Sequence, residues 1–260
     1  MMAGKGGDKT MSILLPLASG STGNCTLLVL GERKLLVDMG ISLRRVTAGL
    51  KTVGLTPGDL DGVLITHAHT DHTSGLAMLH KHWPNVPLFA SATTLTRLAM
   101  DGEALPRSGE TSLWPELALR TFATSHDCPG SMGFVLDWAG QRLGYATDLG
   151  VVTDSILSAL EGSSFQVLEF NHDVEMLRHG PYPYPLQQRI LSDEGHLCNE
   201  AGADAAAWLN AHGTKRFLLA HLSQQNNTPA LAMQAAGIAL AGTDAEFSPA
   251  PVGMGPVYVL

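Results

Sequence analysis

Four side chains able to bind a metal ion fall within the six residues His67-Ala68-His69-Thr70-Asp71-His72, set between an apolar run and an amphipathic one. Imidazole nitrogen and carboxylate oxygen are the donors of zinc and of several other divalent ions, and such ions activate water for hydrolysis. His67 and His69, two apart in extended backbone, present their rings to one side, whereas Asp71 and His72 lie in the turn that enters the next helix. One ion does not easily use all four. Two imidazoles plus a third nitrogen from elsewhere make a three-ligand centre with an open position, and Asp71 with His72 start a second. Polar loop residues satisfied by backbone and water are the alternative, and the density of the cluster argues against it.

Positioning such a cluster needs a strand before it and a helix after it. Gly62-Val63-Leu64-Ile65 reads as a short buried strand, so the ligands leave its carboxyl end, and Ser74 to His82 reads as a helix. Met11 to Leu17, Thr26 to Leu30 and Lys34 to Val37 are further strands, and Asp38, ending the third, is placed to brace the histidine loop. The loop Ser19 to Asn24, rich in glycine and hydroxyls, can meet an anion through Ser21 and Asn24, or can be an ordinary hairpin turn. Ser42 to Thr52 is helix-like, and Ser91 caps a helix expected over Ala92 to Asp101. Leu117 to Ala123 is a strand, and Gly133 to Trp138 pairs with Gln141 to Thr147 around Ala139-Gly140 as a hairpin. Two more polar residues stand at strand ends here. His126 alone is an unremarkable loop histidine, and Asp148 can bridge two cations or cap a helix.

With 260 residues and 45% hydrophobic content, the chain suits one domain with a substantial core, expected over residues 11–260 after a Gly- and Lys-rich disordered tail, 1–10. The absence of a long apolar run and of a signal-peptide core predicts a cytoplasmic protein with no membrane partner. Cys25, Cys128 and Cys198, odd in number and far apart, are expected to be reduced packing residues. A net charge of −8 argues against a broad basic surface for nucleic acid, although two divalent ions would reverse the field locally.

The His-x-His-x-Asp-His cluster between an apolar strand and a helix resembles the signature of the metallo-β-lactamase superfamily. That resemblance implies an α/β fold, a four-layer αββα sandwich in one domain, and a binuclear hydrolase. It assigns His67, His69 and His126 to a first metal and Asp71, His72 and His221 to a second, with Asp148 shared. His221 follows the buried strand Arg216 to Ala220 as such a ligand should. Five imidazoles and two carboxylates suit zinc, and also admit manganese or iron.

Other residues point to the substrate. Glu169 lies in the apolar strand Phe165 to Phe170, where an unpaired carboxylate is costly, and His196 is a suitable partner. The pair resembles the glutamate and histidine of ribonuclease Z, in which the histidine is poised over the scissile phosphate. Asn199 is expected to cap the Ala-rich helix Glu200 to His212. The stretch Arg178 to Arg189 reads as a Pro-stiffened loop, with Tyr182 and Tyr184 for base stacking and Arg178 and Arg189 for phosphate, or as a rigid packed excursion.

Gly20-Ser21-Thr22-Gly23-Asn24, Phe170-Asn171-His172-Asp173, Gly195-His196-Leu197-Cys198-Asn199 and Ala220-His221-Leu222-Ser223 together resemble the YycJ/WalJ branch, with Cys25 and Cys198 standing where serine is usual. Membership would imply a cytoplasmic 5′ to 3′ DNA exonuclease that uses a metal-bridging hydroxide, with His196, Glu169 and Asp71 as catalytic groups. A small-molecule hydrolase of the thioester or lactone kind, similar to glyoxalase II, is the competing expectation. A redox di-iron domain or a non-catalytic metal-binding module is a third, opposed by His69, where di-iron members usually carry glutamate.

Overall fold

Leucine- and valine-rich segments buried on both faces build the strands. The computed structural model describes residues 11–260, so the disordered tail expected for 1–10 lies outside the described residues. In chain order β1 (Ile13–Ala18), β2 (Cys25–Leu30), β3 (Arg33–Val37), β4 (Gly62–Leu64), β5 (Leu88–Ser91) and β6 (Glu103–Leu105) form one sheet. A second sheet contains β7 (Gly109–Trp114), β8 (Leu117–Ala123), β9 (Met132–Trp138), β10 (Gln141–Ala146), β11 (Phe165–Glu169), β12 (Arg216–Ala220) and β13 (Glu246–Pro249). The short β14 (Tyr258–Val259) then returns to pair with β1. Each sheet starts antiparallel and turns parallel, at β3–β4 in the first and at β10–β11 in the second.

Helices α1 (Leu43–Thr52), α2 (Thr70–Thr73), α3 (Leu76–His82) and α4 (Ala92–Leu98) belong to the first half of the chain. The second half carries α5 (Asp154–Leu160), α6 (Val174–His179), α7 (Tyr184–Ile190), α8 (Asn199–Ala211) and α9 (Pro229–Ala239). Leu14, Leu28, Phe134, Val167 and Leu218 fill the space between the sheets. Val46, Leu50, Leu76 and Leu79 pack α1 and α3 on the outer face of the first sheet, and Ile156, Ala206, Leu209 and Ala236 pack α5, α8 and α9 on that of the second. The result is the four-layer αββα sandwich. Fully burying one such Leu or Phe side chain contributes roughly 1.5–3 kcal/mol, so this core can carry costly polar groups at its rim.

Three elements differ from the sequence reading. The helix after Ser91 stops at Leu98 because Ala99 takes a left-handed conformation, φ 50°. Cys198, not Asn199, caps α8, its Sγ accepting from Ala201 N–H at 3.5 Å, while Asn199 is buried and pairs amide to amide with Asn227. The expected Pro-stiffened loop becomes α7 from Tyr184, because Pro185 sits in the first turn, where the missing N–H costs nothing. Hairpin β9–β10 turns as expected, with both Ala139 and Gly140 at positive φ.

Candidate metal centre

Parallel strands end on the same rim, and both sheets deliver their polar ends there. The loop after β4 carries His67 to His72, β3 ends at Asp38, β8 leads to His126, β10 to Asp148 and β12 to His221. Asp38, Asp148 and His221 all hold φ near +60°, a conformation that non-glycine residues adopt reluctantly and that turns each side chain off its strand toward the rim. The histidine loop is pinned from below by backbone hydrogen bonds from Asn24 N–H to Asp71 O, 2.7 Å, and from Met39 N–H to His72 O, 2.8 Å. Gly40 permits that approach, since a Cβ there would lie 1.6 Å from Asp71 O.

Two sets of donor atoms converge. His69 Nδ1 lies 3.1 Å from His67 Nε2 and 3.2 Å from His126 Nε2. In the second set Asp71 Oδ2 lies 3.4 Å from His72 Nε2 and 3.6 Å from His221 Nε2. Two bonds of about 2.0–2.1 Å at a tetrahedral angle put their donors about 3.4 Å apart, so both sets match one small cation each. Asp148 spans them, with Oδ2 3.4 Å from His72 Nε2 and Oδ1 3.7 Å from His126 Nε2.

Hydrogen bonds behind the rings decide which nitrogen faces inward. Thr66 Oγ1 donates to Asp38 Oδ2, so His67 Nδ1–H must donate to Thr66 Oγ1, and Nε2 presents its lone pair. His126 Nδ1–H donates to Gly195 O at 3.1 Å, with the same consequence. Burial pushes His67 well below the usual histidine range and lowers His69, which keeps both neutral and ready to donate electron pairs. His72 Nδ1–H donates to Asp38 Oδ2 at 2.7 Å, and His221 Nδ1–H to Glu169 Oε1 at 2.8 Å, the outer carboxylates typical of histidine ligands.

Buried charge demands compensation at this rim. Asp38, Asp148 and Glu169 are 0%, 2% and 0% exposed, and each isolated buried ion costs several kcal/mol. Asp148 Oδ2 and His221 Nε2 are buried with no hydrogen-bond partner among the described residues, and both point into the second set. Burial would push His221 down, yet Asp148, Asp71 and Glu169 outweigh it and carry the ring up to about 10. A proton there answers the same negative field that a cation would answer. The donor chemistry therefore fits divalent cations.

Glu169 serves two rings at once. Its Oε1 accepts from His221 Nδ1–H and from His196 Nδ1–H, each at 2.8 Å, and Oε2 accepts from Leu149 and Leu197 N–H. Burial pushes this carboxyl up, but the charges and hydrogen bonds of His196 and His221 bring it down to about 2. His196 is 19% exposed on its side chain, its Nδ1 also lies 3.8 Å from Asp148 Oδ1, and it borders a groove of about 220 Å³ beside both sets.

The family model described as the β-lactamase superfamily domain matches residues 33–222. The chain belongs to the metallo-β-lactamase superfamily. It is 38% identical over 223 residues to the exodeoxyribonuclease YycJ of Bacillus anthracis, covering 83% of this chain and 84% of that one. It is 36% identical over 225 residues to the exodeoxyribonuclease WalJ of Streptococcus pneumoniae, covering 83% of each. Among solved structures, the metallo-β-lactamase fold protein YhfI from Bacillus subtilis superposes with a TM-score of 0.74 at 17% identity, over 95% of this chain and 99% of that one.

Within this superfamily frame the rim gathers the seven expected ligand positions, with Glu169 and His196 beside them. The substrate residues divide. Ser21 and Tyr182 line the groove, while Arg178 stands outside it beside Glu175, and Tyr184 is 71% exposed. Asn24 is buried, with Oδ1 accepting from Gly20 N–H and Nδ2 directed at His72 Nε2 and Asp71 Oδ2, so it braces the second set instead of facing substrate. Arg189 lines the groove as the loop reading allowed, and Asp127, Asn171, Leu186, Ile190 and Ser223 also line it and were not singled out as site residues from sequence. Adjacency to His126 and His221 was the available signal for Asp127 and Ser223. The groove is mixed in charge, with Arg189 the one lysine or arginine among its lining residues against Asp71, Asp127 and Asp148.

Proposed function

We propose that the protein is a binuclear metal-dependent phosphodiesterase that acts on DNA as a cytoplasmic 5′ to 3′ exonuclease. The observation that carries this reading is His196, held by buried Glu169 through Nδ1 and set beside His126 of the first donor set and His221 of the second. A thiolate departs from a thioester without help, whereas the alkoxide leaving from a phosphodiester needs a proton, and a positioned acid contributes about 10²- to 10⁴-fold. Identity to the two exodeoxyribonucleases over most of both chains supports DNA as substrate. The direction of digestion rests on the motifs shared with that branch.

Two divalent ions, zinc, manganese or iron, held by His67, His69 and His126 and by Asp71, His72 and His221 with Asp148 between them, would supply activated water and neutralise phosphate charge. Protein groups do the rest. Asp71 orients the attacking water from the second set, and Asp38 and Glu169 fix the rings that face it. Glu169 holds His196 through Nδ1, and the ring serves as the acid that passes a proton to the departing sugar oxygen. Tyr182 offers a stacking face to the base, with the Ser21 hydroxyl on the groove as a donor to phosphate oxygen.

One preparation of metal-loaded protein, assayed on a single-stranded oligodeoxynucleotide and on a glutathione thioester, tests the reading. Cleavage of the oligonucleotide with no turnover of the thioester supports it. The reverse result makes the protein a small-molecule hydrolase and leaves His196 without an acid's role.

A further inference from the structure

An arginine and an aspartate face each other at the lip of the first donor set, and neither has a place in the ligand chemistry. Arg189, in the last turn of α7, gives its Nε–H to Asp127 Oδ2. The remaining guanidinium N–H groups have no protein acceptor among the described residues, and the side chain lines the groove while staying 53% exposed. Asp127 is tied in on the other side. Its N–H donates to Glu194 O at 3.0 Å, and its Oδ1, buried and without a hydrogen-bond partner, lies 3.6 Å from both His69 Nε2 and His126 Nε2.

From this geometry we infer that Arg189 is a phosphate clamp for the nucleotide flanking the scissile bond and that Asp127 is the residue that positions it. The inference rests on the phosphodiesterase reading above. A plain salt bridge anchoring α7 is the competing explanation, but a half-exposed pair of this kind is worth roughly 0–1 kcal/mol. That small gain does not account for a carboxylate placed beside Asp71 and Asp148 at the mouth of a site meant for a polyanion. Clamping does account for it. With Nε fixed, the guanidinium loses little freedom on binding, and its two Nη groups are presented as a planar fork to phosphate oxygens. Arg189 is also the one lysine or arginine lining the groove. Asp127 stands between Arg189 and the first donor set, which assigns the clamp to a phosphate next to the one being cleaved.

Steady-state kinetics on an oligodeoxynucleotide and on bis(4-nitrophenyl) phosphate, which has no second phosphate, separate the explanations. Arg189→Ala should raise the oligonucleotide KM roughly 10- to 100-fold, the range for a charge-assisted hydrogen bond. It should also flatten the dependence of log KM on log salt by about one unit of slope, because one phosphate contact is gone. On the small diester the loss should be a few-fold at most. Arg189→Lys should recover the salt slope but only part of the KM, since a point charge replaces a fork. Asp127→Asn should raise KM less than Arg189→Ala, and combining Asp127→Asn with Arg189→Ala should add little, because a positioning residue has nothing left to position. Equal losses on both substrates, an unchanged salt slope, or full additivity would overturn the clamp while leaving the phosphodiesterase reading intact. Wild-type protein that cuts no oligonucleotide would overturn both.

Discussion

Asp148 aims one carboxylate oxygen at each set of imidazoles, whereas His126 meets only the first. Replacing Asp148 by Ala should therefore deplete both metal equivalents, and His126→Ala should deplete mainly one, as metal analysis of the purified variants will show. Full occupancy in the Asp148→Ala protein would remove its bridging role. His196→Ala should lower kcat on an oligonucleotide by about 10²- to 10⁴-fold with metal content unchanged, and should cost far less on a nitrophenyl diester, whose leaving oxygen needs no proton. Metal loss in that variant would make His196 structural. Because Glu169 also holds His221, Glu169→Gln should both slow the native reaction and weaken the second metal, so its metal content should fall where that of His196→Ala does not.

On the scale of elements, α7 and the segment before it decide where substrate lies. Tyr182 lines the groove and Tyr184 points into solvent, so Tyr182→Ala should raise the oligonucleotide KM by an amount matching roughly 1–3 kcal/mol per lost stack. Tyr184→Ala should stay within about twofold of wild type, and equal effects would mean that the segment supports the fold and not the substrate. This division was hidden in the sequence because Pro185 reads as a breaker but is tolerated in a helix's first turn. The central strands were legible, since Leu27, Leu36, Val63 and Leu218 sit in apolar runs buried on both faces. The edge strands β6, β7, β13 and β14 were not, because they are short or half exposed and carry no such signal. The cluster His67 to His72 was legible by residue type and spacing, whereas His126, Asp148 and His221 were read as ligands only through the family resemblance. Left-handed backbone at Asp38, Asp148 and His221 was not legible, since nothing in an aspartate or a histidine announces a positive φ.

Taken as a whole, the molecule is two half-sandwiches whose strand ends meet at one rim, and its stability and its chemistry share the same buried charges. The carboxylates that raise His221 to about 10 and His72 well above its ordinary range make protons compete with cations at the second set. Each ring must lose a proton to bind metal, so metal affinity at that set should rise with pH up to about 10, and loading should release protons. Chelator competition at several pH values will check this, and a pH-independent affinity would contradict it. The proposed reaction at this rim is hydrolysis of DNA from the 5′ end. Its most direct test is digestion of one single-stranded oligonucleotide labelled at the 5′ end in one sample and at the 3′ end in another, followed on a gel with metal-loaded protein. The 5′ label should be released at once as a short product while the 3′-labelled strand shortens progressively. Both strands remaining intact while two metal equivalents stay bound would contradict it.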